Sequence, residues 1–240
     1  MKRILSKIRK ACNDYNMIEE GDLITVGVSG GKDSMLLLKA LSMYSKFSPV
    51  HFDVQAIMVD LGLGMDITRI QQFCDELGVK FIIVHTQISR IVFDERHEKN
   101  PCALCAKMKR GALHNAMLES GSYKVALGHH ADDFAETFLL GLLYEGRING
   151  LKPVTFLDKK QITVIRPMIY LREKEIIYAV NKNNIPVVKS NCPADGYTKR
   201  EEMKELIRSL DKKDRDMSKR LITAVYDYTD NYQKSEQQQQ

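Results

Sequence analysis

Leu23-Ile-Thr-Val-Gly-Val28, Ser29-Gly-Gly-Lys-Asp-Ser34 and Met35-Leu-Leu-Leu-Lys-Ala-Leu41 follow one another without a gap. The first segment reads as a short buried strand, and the last as a helix. The hexamer between them is rich in anion ligands. Two adjacent glycines let the backbone approach an anion closely. Free N–H groups at the helix start then donate to it. Ser29 and Ser34 add hydroxyls, and Lys32 adds a positive charge. A tight structural turn is the plainer reading of a lone Gly-Gly, but it does not account for the whole hexamer. A P-loop would need Gly-x4-Gly-Lys-Ser/Thr. Here Lys32 precedes Asp33, and Val26 stands five before Gly31. The dinucleotide fingerprint fails too, because Ser29 stands two after Gly27.

Outward from this stretch, apolar runs alternate with helical patterns. Strands are expected at Val54–Val59, Lys80–His85, Tyr123–Leu127 and Gln161–Ile165, making five with the first. Helices are expected over residues 1–20, 66–77, 106–119 and 135–143, after Arg172, and as a closing pair. Such alternation predicts an α/β fold: a parallel, five-stranded, Rossmann-like sheet flanked by helices, with helical additions at both ends. The expected organisation is a basic helix over 1–20, a sheet domain carrying the anion-binding turn over 21–190, a C-terminal segment with helices over 191–232 and a disordered tail over 233–240. Ligands of such sheets sit at the carboxyl ends of the strands. The Gly-Gly turn, Asp60, Cys102-x-x-Cys105 and Gly128-His-His-Ala-Asp-Asp133 all fall at or after strand ends. One shared cleft is therefore expected.

The chain has 240 residues, 44% hydrophobic and 28% charged, which suits one folded domain and argues against global disorder. Its most apolar stretch, near Phe138–Tyr144, is too short to span a bilayer. The basic start lacks an apolar block, which argues against a secretory signal. Five cysteines at uneven spacing argue against a disulfide framework. A reducing, cytoplasmic setting is expected. Net charge is +5, and five of the first ten residues are Lys or Arg. Lys2, Arg3, Lys7, Arg9 and Lys10 are candidate phosphate contacts for a nucleic acid, or simply a solvated helix face.

Cys102-x-x-Cys105 alone allows half a zinc site, a redox pair or two unrelated residues. With Cys192, three thiolates from two segments suit an iron–sulfur cluster with one open iron. Cys12 and Cys74 read as small buried hydrophobes. Asp132 and Asp133 open a helix, where one can cap it and the other bind Mg²⁺ or orient a substrate. His129 and His130 are as readily core or capping residues as catalytic ones. Lys109 and Arg110 either reach the cleft or coat a helix.

The hexamer resembles the motif Ser-Gly-Gly-x-Asp-Ser of the PP-loop ATP pyrophosphatases. That resemblance implies cleavage of ATP between its α- and β-phosphates, with pyrophosphate released and an adenylate formed. It assigns ATP binding to Ser29, Gly30, Gly31, Lys32, Asp33 and Ser34. Asp60 and Gly128 are further candidates for the same ligand, and Asp33 gains a role beside Mg²⁺. From about Ile8 to Arg200 the chain looks like the branch that makes 2-thiocytidine in tRNA. The likeness rests on Asn16-Met-Ile-Glu-Glu-Gly-Asp22, Cys102-x-Leu-Cys105 with Lys109-Arg110-Gly111, Leu127-Gly-His-His-x-Asp-Asp133, Arg166-Pro167, Arg172-Glu-Lys-Glu175 and Cys192. By that likeness Cys102, Cys105 and Cys192 hold a 4Fe-4S cluster. The same likeness implies that the C2 oxygen of a cytidine, at position 32 of the anticodon loop, is adenylated and replaced by sulfur. Asp33, Lys109, Asp132 and Asp133 are then the candidate catalytic residues. Expected partners are tRNA, a sulfur donor (a cysteine desulfurase or inorganic sulfide) and a second copy of the chain. The alternatives are a PP-loop sulfurtransferase for another nucleoside or small molecule, a PP-loop ligase with structural zinc, and a nucleotide-binding regulator.

Overall fold

The computed structural model describes residues 1–96, 101–148, 150–189, 191–192, 199–214 and 216–237, with side chains as far as Tyr228. One sheet contains β1 (Asp22–Val28), β2 (Phe52–Asp60), β3 (Lys80–His85), β4 (Lys124–Ala126), β5 (Val154–Leu157) and β6 (Ile162–Ile165). Its strand order is β3-β2-β1-β4-β6-β5. The five expected strands are parallel to one another. The sixth, β5, runs antiparallel to β6 at the edge. Only four residues long, with Phe156 open to solvent, β5 carries too little alternation to be read from sequence. An antiparallel edge strand on a parallel sheet is common.

The apolar runs of β1 and β2 reflect cover on both faces. On β2, Ala56 and Met58 join the core beneath α2 (Lys32–Tyr44). Ile57 and Val59 point the other way, into a second core with Leu113 and Met117 of α4 (Pro101–Glu119). The first core also holds Ile4 and Ile8 of α1 (Lys2–Asp14), and Ile176 and Ala179 of α6 (Glu173–Lys182). The expected helix over 1–20 is shorter because Asn16, at φ 46°, reverses the chain. The Met17 N–H reaches the Cys12 carbonyl at 2.9 Å, the bond that closes a Schellman turn.

Between β2 and β3 lies α3 (Thr68–Leu77), which ends at left-handed Gly78. After β4 comes α5 (Ala131–Leu140), with a π-helical turn over Gly141–Glu145. At the C-terminal end, α7 (Lys199–Lys213) and α8 (Met217–Gln237) pack on α5 through Ile207, Ile222, Ala131 and Ala135. The tail expected over 233–240 is helical as far as Gln237, where Gln and Lys favour a helix and no Gly or Pro stops it. Residues 238–240 lie outside the described part. Among the described residues no helix is long and apolar enough to cross a membrane.

Candidate nucleotide and thiol site

The strand order reverses between β1 and β4, and the loops after these two strands meet there. Gly128 follows β4. A Cβ on it would lie 3.1 Å from the Asp33 carbonyl carbon and from the Ser34 nitrogen. Only glycine lets the two loops approach this closely.

The Ser29–Ser34 loop is braced from within. Ser34 Oγ accepts the Ser29 N–H at 3.1 Å and donates to the Gly31 carbonyl at 3.1 Å. The Ser34 side chain is buried, so it shapes the loop and does not line the cleft. Gly30, at φ +80°, packs on Ile70 and Val188 and likewise stands behind the cleft wall. Ser29, Gly31, Lys32 and Asp33 form the polar end of a cavity of about 430 Å³. Met58, Leu61, Leu63, Met65 and Val187 form its apolar end, with Asp60 and Lys109 on the wall. A polar end at a helix N-terminus and an apolar end suit phosphates and a purine.

Lys32 Nζ lies 3.0 Å from Asp33 Oδ2 and 3.2 Å from Glu173 Oε1. Burial works against its charge, but the two carboxylates outweigh burial and raise its pKa. Glu173 also takes Lys204 of α7 at 2.8 Å. Burial disfavours the Glu173 charge as well, and the two lysines reverse that and lower its pKa. The sequence quotes Glu173 beside Arg172 but carries no sign that the start of α6 reaches the phosphate loop. Asp60 is partly spent on structure. Its Oδ1 accepts the Gly62 N–H at 2.9 Å, and its Oδ2 stands 3.1 Å from His85 Nδ1.

Asp132 and Asp133 do not line this cleft. Asp133 Oδ2 accepts the His130 N–H at 2.8 Å and caps α5. Asp132 accepts Arg172 Nε at 2.9 Å and the Glu173 N–H at 2.7 Å, tying α5 to the start of α6. Burial alone would raise its pKa. His130, the Glu173 N–H and Arg172 overcome that and bring it down to about 2. A folded pKa below the unfolded one stabilises above the unfolded value, near pH 4. The contribution then disappears as pH falls toward about 2. Asp132→Asn is expected to cost about 2–4 kcal/mol in urea unfolding at neutral pH, because it leaves a half-buried Arg172 without its charge partner. The penalty should shrink on acidification through that window.

His130 is buried, with Nε2 3.4 Å from Asp133 Oδ2 and 3.7 Å from Asp33 Oδ1. Burial opposes its charge, yet the surrounding Asp132, Asp133 and Asp33 carboxylates raise its pKa. His129 goes the other way, pushed down to about 4 by burial and Arg166, and is neutral at pH 7. Asp33 Oδ1 is buried and has no hydrogen-bond partner among the described residues.

The cysteine pair lies at the start of α4, which begins five residues ahead of the helix expected over 106–119; Pro101, with its preset φ, opens the helix. Cys102, Cys105 and Lys109 stand at i, i+3 and i+7 and so share one face. Cys105 is half-buried and Cys102 is exposed. Burial raises the Cys105 pKa, Lys109 opposes this, and the nearby Cys192 and Cys102 thiols reinforce it. Cys102 and Cys192 thus both lie near enough to Cys105 to act on its charge, and Lys109, a turn further along α4, lines the cleft. Cys12 and Cys74 lie elsewhere in the core, both pushed up to about 12, chiefly by burial. Among the described residues, no three His, Cys, Asp or Glu side chains are drawn tightly enough around one point to hold a single ion.

Of the five basic residues in α1, three are engaged within the chain. Lys7 donates to the Tyr170 carbonyl at 3.0 Å and pairs with Glu175 at 2.7 Å. Arg3 pairs with the same carboxylate at 3.0 Å. Lys10 pairs with Asp14 and lies over the Tyr170 ring. Lys2 and Arg9 are exposed, with no ion pair of that kind described.

Strand order, phosphate loop and cleft together define a PP-loop nucleotide-binding protein. The PP-loop domain family matches residues 1–210. A tRNA-cytidine(32) 2-sulfurtransferase of Geotalea uraniireducens is 37% identical over 93% of this chain and 90% of its own length. One from Aliivibrio fischeri is 37% identical over 88% of this chain and 70% of its own. Among solved structures, the U34-tRNA thiolase NcsA of Methanococcus maripaludis, with its 4Fe-4S cluster, superposes with a TM-score of 0.78 at 25% identity. That match covers 95% of this chain and 78% of the other. The NH3-dependent NAD synthetase of Campylobacter jejuni shares the fold, with a TM-score of 0.54 at 14% identity. The chain belongs to the PP-loop family and, within it, to that of the tRNA-cytidine(32) 2-sulfurtransferases.

Proposed function

We propose that this protein is an ATP-dependent tRNA thiolase that converts a cytidine, at position 32 of the anticodon loop, to 2-thiocytidine. The observation that carries the reading is Lys109, which lines the cleft of the phosphate loop and also acts on the charge of Cys105, as the thiols of Cys102 and Cys192 do. The names of relatives at 37% identity over nearly the whole chain support the substrate.

The C2 carbonyl of a cytidine has no good leaving group. Attack of its oxygen on the α-phosphorus of ATP forms a C2–O–AMP bond and releases pyrophosphate. Sulfide then attacks C2 and AMP departs with the oxygen, so nothing is oxidised or reduced overall. The loop N–H groups and Lys32 face the triphosphate and favour charge on the leaving pyrophosphate. Freed from Glu173, Lys32 can follow that charge. The orphaned buried Oδ1 of Asp33 is the kind of hard oxygen ligand that Mg²⁺ takes, which supports Asp33 as its holder beside the phosphates. Lys109, a turn beyond Cys105 and on the cleft wall, is the proposed holder of the AMP phosphate.

The donor set fits a cluster: three thiols, from α4 and from the segment after α6, with the pair one helical turn apart. Cysteine thiolates are the ordinary protein ligands of iron–sulfur clusters. Cys102, Cys105 and Cys192 are the proposed ligands of a 4Fe-4S cluster. When bound, it supplies an iron with an open position for the incoming sulfur. tRNA approach falls to Lys2 and Arg9, with Arg3 and Lys10 on the same exposed flank; Lys7 serves packing. A cysteine desulfurase or inorganic sulfide as donor, a second copy as partner and a cytoplasmic setting complete the reading.

The test is nucleoside mass spectrometry of tRNA from a strain lacking this protein. The expected result is loss of 2-thiocytidine alone, restored by the wild-type chain. An unchanged profile contradicts the substrate.

A further inference from the structure

Three hydrogen bonds, from two residues, fasten the segment after α6 to the nucleotide cleft. The Val188 N–H donates to the Gly30 carbonyl at 2.9 Å, joining this segment to the phosphate loop itself. Asn191 Nδ2 lies 3.2 Å from the Leu63 carbonyl and 3.4 Å from that of Gly64. Those carbonyls belong to the turn after β2, where Gly62 and Gly64 adopt φ of +80° and +66°. Leu63 and Met65 of that turn and Val187 of the segment after α6 line the apolar end of the cleft. Cys192 is the residue next to Asn191.

We infer that Asn191 is a positioning residue that couples nucleotide occupancy to the placement of Cys192. A purine at the apolar end presses on Leu63, Met65 and Val187, and phosphates settle the Gly30 loop. Both effects act on the backbone that carries Cys192. Asn191 bonds the turn through its side chain, one residue before the thiol. Binding at one place and order at the other then favour each other equally, as linkage requires. For a thiolase this makes the sulfur-delivering end complete when ATP is in place. The inference rests on reading the cleft as the nucleotide's.

The test uses the full chain without added iron and the uncleavable analogue α,β-methylene ATP. Two quantities are measured: analogue affinity, and the rate of Cys192 alkylation with and without analogue, followed by peptide mass spectrometry. In the wild type the analogue is expected to slow Cys192 alkylation several-fold. Asn191→Ala is expected to weaken analogue binding by about five-fold, the worth of roughly one net hydrogen bond. It should also abolish protection of Cys192 at saturating analogue. Asn191→Gln, which keeps the amide donor, should restore part of it. Melting curves establish that each variant folds. If the wild type does not bind the analogue, the nucleotide reading itself fails. Should it bind while Asn191→Ala keeps both affinity and protection, the coupling is wrong and the nucleotide reading stands.

Discussion

Cys105→Ser, Cys102→Ser and Cys192→Ser are each expected to abolish thionucleoside formation while leaving ATP binding intact. The three thiols converge from two elements, and a cluster with an open iron has no protein ligand to spare. Removing one therefore removes the sulfur-delivering half of the site. The nucleotide half, built on β1 and α2, contains none of these sulfurs. Anaerobic reconstitution should give a brown wild type, and variants with weak or unstable absorption. Cys12→Ser and Cys74→Ser separate chemistry from packing. Each places a hydroxyl in the core, so they should lower stability yet keep the chromophore. If Cys192→Ser retained full thiolation, the three-thiol site would be wrong.

The second large effect is expected at Gly128. Alanine there sets a methyl carbon 3.1 Å from two backbone atoms of the Asp33–Ser34 step and 3.3 Å from Asp33 Cβ. Backbone cannot swing away as a side chain can, so the start of α2 must shift. Overpacking of this kind costs about 1–3 kcal/mol. The loop geometry absorbs the shift, so ATP affinity should fall by about 10- to 100-fold. The contrast is Gly111→Ala on α4, where a Cβ meets nothing within 4 Å. That change should leave affinity alone. Equilibrium binding of α,β-methylene ATP to both variants decides the point.

The parallel sheet and the phosphate loop are legible in the sequence because both depend on local order. An apolar strand, an anion-binding turn and a helix follow one another within residues 23–41. The strand-end placement of Asp60 and Gly128 likewise follows from alternation alone, whereas the cysteine pair stands at the start of α4. What stays hidden depends on distant partners. Glu173 reaches Lys32 because α6 packs against α2, and no spacing reveals that. Asp132 resembles a cleft carboxylate in its motif, yet its two oxygens are taken by Arg172 and the Glu173 N–H, forty and forty-one residues on. The charge of α1 suggested a nucleic-acid face, whereas Lys7 folds down onto Glu175. Short β5 stays unread because it lies at the sheet edge with none of its residues fully buried, whereas the equally short β6 is buried at three of four positions.

The most direct measurement is product stoichiometry under anaerobic conditions, with cluster-loaded protein, ATP, sulfide and an unmodified tRNA containing C32. The expected result is equal amounts of AMP, pyrophosphate and 2-thiocytidine, with none of the thionucleoside when ATP is omitted. ADP and phosphate in place of AMP and pyrophosphate, or thiolation without ATP, would contradict the joining of a pyrophosphate-releasing loop to a three-thiol sulfur site.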